Sequence, residues 1–310
     1  MNNRVRIDTL EITEIDFELY KEKIVPEYYK SIQKNKKEFK DFFDDMFDFY
    51  LFCSFLVDEK LLHHFKKPIY GALWFLFKRS SITFLGITRL IENGIVSEVY
   101  SLTRSLFENY LTLKILFEKE YEERAKLFMN FEWIKKKKKL EKNPDVFNQI
   151  DTYNIEMNYK KFKDNYNIEK PFPDNFDWTY KIYKDKDKKK TSIFSWCEHF
   201  GLIKDYERDY RLYSQFVHPS SVIANKIPFC PKYDKKIYST GAISIFYFVD
   251  IISQILKFID EKKFENYINI LNKKVLNFGK KYPELSRLFK EYSQNKKIGK
   301  KMKGGDNAIR

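Results

Sequence analysis

Glycine and proline rarely interrupt this chain. Only nine of each occur in 310 residues, and three of the glycines fall after Lys297. Between them run long stretches with apolar residues every three or four positions and no sustained alternation. Both residues disfavour helix interiors, whereas sheets need turn chemistry at every reversal. The pattern therefore predicts an all-α protein. A hydrophobic share of 43%, with 18% aromatics, supplies apolar surface for one large core or two modest ones.

Two helices are expected between residues 12 and 58, the first kinked or restarted near Pro26. A third should run from about Lys67 to Asn93, with Pro68 in its first turn and Asn93-Gly94 ending it. A fourth spans Ile95 to about Phe117 and a fifth Tyr121 to Leu140, ending in five consecutive lysines, 135–139. Residues 143–190 read as an insert of short helices and a basic loop, followed by a helix closed by Gly201. A long apolar helix from about Ser239 to Ile259 and two amphipathic helices complete the order. The expected organisation is an N-terminal helical region 1–66, a helical core 67–260 carrying the insert, C-terminal helices 261–294 and a disordered basic tail 295–310.

Two polar stripes stand out on this apolar background. The stretch from Asp205 to Pro219 reads as a helix stopped by proline. Arg211 and His218 are two turns apart on one face of it, with Ser214 between them. On the fourth helix, Arg104 and Glu108 form an i,i+4 pair among Ser97, Ser101 and Thr112. That helix carries few other charges, so the pair is expected to be buried, where each charge requires a partner.

These residue types suit RNA cleavage without metal. A base removes the 2′-hydroxyl proton, and cations stabilise the charge that develops on phosphorus. The guanidinium fork of Arg211 matches phosphate oxygens, and His218 titrates near neutrality. At a helix C-terminus the dipole favours protonated His218, which suits an acid or a phosphate contact better than a resting base.

Other chemistries lose ground. The chain has no Gly-x-Gly-x-x-Gly or Walker A pattern, no Gly-x-Ser-x-Gly elbow and no His-Glu-x-x-His pair. Cys53, Cys197 and Cys230 are odd in number and scattered, which points to a reducing cytoplasm rather than a disulfide framework. Cys197 and His199 lack the further ligands of a zinc site, and His199 is expected at a core edge; His63 and His64 fall in a linker. No secretory signal is read at the N-terminus, and the apolar run from Gly241 to Leu256, interrupted by Asp250, is short for a membrane span. A net charge of +14 favours acidic partners, nucleic acid first and anionic membrane second, although the Lys, Asn, Ile, Phe and Tyr usage is also what an AT-rich genome yields.

The segment Arg104-Ser105-Leu106-Phe107-Glu108 resembles the R-S-L-hydrophobic-E helix of a widespread bacterial family known only as a domain of unknown function. Tyr206-x-x-x-Tyr210-Arg211-x-x-Ser214-x-x-Val217-His218-Pro219-Ser220 resembles its second signature, and the similarity covers roughly residues 71–259. The Arg211-x6-His218 spacing is also similar to the Arg-x4-6-His motif of the HEPN superfamily of all-α proteins. That resemblance implies a HEPN-like bundle and a metal-independent endoribonuclease with no cofactor, used as a toxin or phage-defence effector. It further implies a homodimer with a composite site and a neutralising or sensor partner. Arg211 and His218 would be catalytic, with Arg104, Glu108, Ser214 and Tyr210 in support. Leu212 departs from the polar residue that follows the Arg in many active members. A second reading is a non-catalytic helical module that binds nucleic acid, a nucleotide or a partner protein, and a third is a structural role in which Arg104, Glu108, Arg211 and His218 satisfy one another inside a bundle.

Overall fold

The computed structural model describes residues 14–61, 67–166, 178–179, 192–215, 236–259 and 264–289. His63, His64, His218, Pro219, Cys230, the lysine-rich loop 184–190 and the tail lie outside them. Every regular element among the described residues is helical.

Helices α1 (Glu14–Glu38) and α2 (Lys40–Leu61) meet at Phe39, and α1 continues through Pro26 rather than restarting there. Helix α3 (Pro68–Glu92) begins with proline in its first turn and stops at Asn93, followed by Gly94 at φ 73°. Three residues then lead into α4 (Val96–Glu118), so α3 and α4 pack as antiparallel neighbours. The expected fifth helix is two, α5 (Tyr121–Asn130) and α6 (Glu132–Lys142). They break at Phe131, whose ring is drawn into the core at 4% exposure. The insert contains an 18-residue helix, α7 (Gln149–Tyr166), packed against α6. The short α8 (Ile193–His199) is capped by the Ser192 side chain and ends before Gly201 at φ 67°.

The segment that follows, α9, begins at Ile203–Asp205, widens into a π-helix over Tyr206–Arg211 and closes at Leu212–Ser214. Helix α10 (Lys236–Ile259) lies against α2, α3 and α4, and α11 (Phe264–Lys281) packs on α10. Within α10 the stretch Tyr238–Ile259 is longer than the apolar run read from sequence. By length and composition it could cross a membrane, but 61% of its most apolar window is buried in this core.

Aromatic contacts hold α2, α3, α4 and α10 together. Phe84 of α3 stacks on Phe248 of α10 at 4.6 Å, and Phe49 of α2 meets both rings edge-on. Gly241 lets α10 approach α2 closely: a Cβ there would lie 2.7 Å from the Phe42 ring. Between α3 and α4, buried Asn109 donates to Ser80 at 3.0 Å, a directional bond inside an otherwise apolar contact. This scaffold fixes the polar face of α4, against which α9 docks.

Candidate functional site

Arg104 and Glu108 are partly buried, less than the full burial that the sparse charge on α4 implies. Their side chains are 19% and 17% exposed, and Arg104 Nε donates to Glu108 Oε1 at 3.1 Å. Arg104 also crosses to α9, where Nη2 donates to Tyr210 Oη at 2.8 Å. Its guanidinium lies 4.5 Å from the Tyr210 ring centroid. Tyr210 stacks on Tyr206 at 5.3 Å and tilts against Phe107. Burial and the Glu108 charge push the Tyr210 hydroxyl up to about 12, so it stays protonated at neutral pH.

The π-helical turn puts one more residue in the loop of each hydrogen bond, which changes what faces inward. Asp209 is fully buried. Arg208 clamps it with two bonds, 2.7 Å from Nε to Oδ1 and 2.6 Å from Nη2 to Oδ2, and reaches Asp205 at 2.9 Å. From α10 the Tyr247 hydroxyl donates to Asp209 Oδ2. Burial, reinforced by the Asp209 charge, holds that hydroxyl well above its ordinary value, which keeps it a donor. Tyr213, also buried, stacks on Tyr100 at 4.9 Å. Tyr210, Asp209 and Tyr213 therefore anchor α9 from inside.

Arg211 faces the other way. Its side chain is 68% exposed and pairs with Glu207, one turn back, at 2.9 Å. Ser214 Oγ donates to the Tyr210 carbonyl at 2.6 Å rather than reaching Arg211. The structure thus joins Arg104, Glu108 and Tyr210 in one cluster, places Arg211 on the outer surface of the same segment, and ties Ser214 to the backbone. His218 lies outside the described residues. Sequence reasoning missed the Arg208–Asp209–Tyr247 network. A tyrosine inside the most apolar helix, opposite a helix rich in acidic residues, was the available signal.

A family model described as a family of unknown function, DUF5677, matches residues 70–227. The chain belongs to DUF5677. The matched span begins in α3 and takes in α4 and α9, so both polar stripes lie inside the DUF5677 domain. No curated protein and no solved structure matches the chain.

Two other polar groups of the DUF5677 domain are tied into local contacts. His199 Nε2 hydrogen-bonds Glu118, which Arg124 also holds at 3.0 Å while donating to the Ile115 carbonyl at 2.6 Å. Burial opposes the Glu118 charge, but the bonds from Arg124 and His199 outweigh it, and its carboxyl sits below the ordinary value. Burial and the Asp205 charge push the Cys197 thiol up to about 12, so it is no resting thiolate. The lysine run points around α6: Lys136 packs over Trp133, Lys137 pairs with Glu141 and Glu156, and Lys135 turns toward α3. These lysines present no single phosphate-binding face.

Proposed function

We propose that this DUF5677 chain is a metal-independent endoribonuclease of the HEPN type, working as a dimeric toxin or phage-defence effector in the cytoplasm. The observation that carries the reading is the placement of Arg211. It is a solvent-facing guanidinium on a segment whose inward residues are anchored by buried aromatic and ionic contacts. Such anchoring fixes where the cation stands before RNA arrives, and preorganised charge is what transition-state stabilisation requires.

In this reading a base takes the proton of the RNA 2′-hydroxyl, and the oxygen attacks the adjacent phosphorus. The bond from phosphorus to the 5′-oxygen breaks, and that oxygen leaves with a proton. The products are a 2′,3′-cyclic phosphate and a 5′-hydroxyl. Arg211 binds the non-bridging oxygens as their charge rises. His218, seven residues on, protonates the leaving oxygen in its cationic form. Arg104, Glu108 and Tyr210 act through position alone, holding α9 on α4.

Purified chain incubated with RNA in EDTA tests this. Cleavage with cyclic phosphate ends, lost in Arg211→Ala and in His218→Ala, is expected. Cleavage that needs added magnesium, or that ignores both substitutions, overturns it. One observation favours a second reading, a non-catalytic module that binds nucleic acid. Leu212 follows Arg211 with 44% of its surface exposed, so the position next to the cation offers no polar group to a phosphodiester. Salt-sensitive RNA binding without product would decide for that module.

A further inference from the structure

Glu108 has a second environment. It also lines a cleft of about 320 Å³ between α3, α4, α5 and α6, to which neither Arg104 nor Tyr210 contributes. One side of the cleft is aromatic: Phe75, Phe128 and Trp178 follow one another with ring centroids 6.0 and 5.3 Å apart. The Trp178 ring is buried, whereas Phe75 keeps 45% of its surface exposed at the rim. The other side is polar, built from Glu108, Asn109 and Thr112 of α4 with Arg79 of α3 and Glu132 and Lys135 of α6, where Lys136 pairs with Glu132 at 3.4 Å. Asn109 is held in orientation by its bond to Ser80.

We propose that this cleft binds a nucleoside monophosphate, with the base against the Phe75–Phe128–Trp178 wall and the phosphate between Arg79 and Lys135. Each part of that ligand meets the chemistry it needs. Base faces stack on aromatic rings. A fixed Asn amide can pair with a base edge, and a carboxylate can accept from ribose hydroxyls. Glu108 already has Arg104 on one oxygen, which limits its repulsion of a nearby phosphate. Arg79 is exposed, and no ion pair to another described residue holds it. Burial, followed by the charge of Arg79, lowers the ammonium pKa of Lys135, with Glu108 opposing. Two cations that disfavour each other gain from an anion placed between them. The volume is at the low end for small-molecule sites, which fits one nucleotide better than a dinucleotide.

This inference does not depend on RNA cleavage at Arg211. Calorimetric titration of the full chain with AMP, GMP, CMP and UMP tests it, with adenosine and inorganic phosphate as controls. At least one mononucleotide should bind and raise the melting temperature, with each control weaker by about tenfold or more, since both halves of the ligand contribute. Arg79→Ala and Lys135→Ala should each weaken binding by about tenfold, the lower end expected for losing a charge-assisted hydrogen bond. Arg79 is exposed, so Arg79→Ala should melt like the wild type without ligand. Arg211→Ala should bind as the wild type does, which separates this site from the ribonuclease reading. The inference is overturned if no mononucleotide binds at millimolar concentration or if binding survives both cleft substitutions. It is equally overturned if inorganic phosphate binds as well as AMP, or if only RNA oligomers bind through Arg79.

Discussion

Arg104 of α4 and Tyr210 of α9 are 106 positions apart in sequence and joined by a 2.8 Å hydrogen bond, with the guanidinium 4.5 Å from the ring centroid. The two polar stripes of this chain thus meet through tyrosine rather than through Arg211. Removing the hydroxyl in Tyr210→Phe keeps the ring for the cation and loses one bond to a charged donor. The site is only partly buried, so the expected cost is near the low end of such bonds, about 1.5 kcal/mol. Arg104→Met should cost more, because Glu108 is left without its cation at 17% exposure. In urea unfolding the double variant should lose less than the sum of the singles. Full additivity would mean that the bond does not form in solution.

Asp209 is the most completely enclosed carboxylate of α9, and Arg208 and Tyr247 supply its three hydrogen bonds. Asp209→Asn should therefore destabilise the fold by about 3 kcal/mol, the lower end for breaking a buried pair, since Arg208 remains half exposed to water. Tyr247→Phe should cost less, about 1.5–3 kcal/mol. If α9 is the docked element, both variants should also raise amide exchange across 206–214 before they affect α3 or α10.

Gly241→Ala tests the contact between α10 and α2. The new methyl would lie 2.7 Å and 2.9 Å from two atoms of the Phe42 ring and 3.2 Å from Met46 Sδ. Phe42 is packed edge-on against Phe43, Tyr238 and Tyr282, so it has little room to withdraw. Alanine ordinarily favours a helix over glycine, and here overpacking should win by about 1–3 kcal/mol. A variant as stable as the wild type would show that the helices part without cost.

The helical class and most of its boundaries were legible because helix periodicity and punctuation act locally: Pro68, Asn93-Gly94 and Gly201 stand where helices start or stop. The break at Phe131 was not, because it follows from one ring entering a core assembled by distant residues. The partial burial of Arg104 and Glu108 was readable from the absence of other charge on α4. The outward turn of Arg211 was not. It depends on a π-helical register that the inward pull of Asp209 and Tyr213 supports, and spacing rules assume an α-helix. The cleft beside Glu108 escaped altogether, since its lining comes from four helices and no contiguous motif announces it.

Glu207 holds Arg211 at 2.9 Å on the exposed face of α9, so in the proposed ribonuclease it would compete with phosphate for that cation. Glu207→Gln should tighten RNA binding and leave the melting temperature where it is, because exposed pairs add little to stability. Arg211→Ala should weaken RNA binding and reduce the salt slope by about one. Filter binding over a range of salt measures both. A Glu207→Gln variant that binds RNA no better than the wild type would remove Arg211 from the RNA-facing surface.

The contact between Glu118, Arg124 and His199 makes part of the stability depend on pH. The Glu118 carboxyl lies below its ordinary 4.5 because bonds from Arg124 and His199 exceed the burial that opposes its charge. A carboxyl depressed in the folded state releases its proton more readily there than in the unfolded chain. Its contribution is therefore complete above about 4.5 and fades as pH falls through the lower folded value. Urea midpoints of the wild type and Glu118→Gln should differ most near neutrality, and the gap should close as pH falls below about 4.5. Arg124→Met should remove part of the same acid dependence, since it withdraws the buried cation that holds the carboxylate at 3.0 Å while the His199 bond remains. A gap that widens with acid would reverse the sign of this coupling and with it the direction assigned to Glu118.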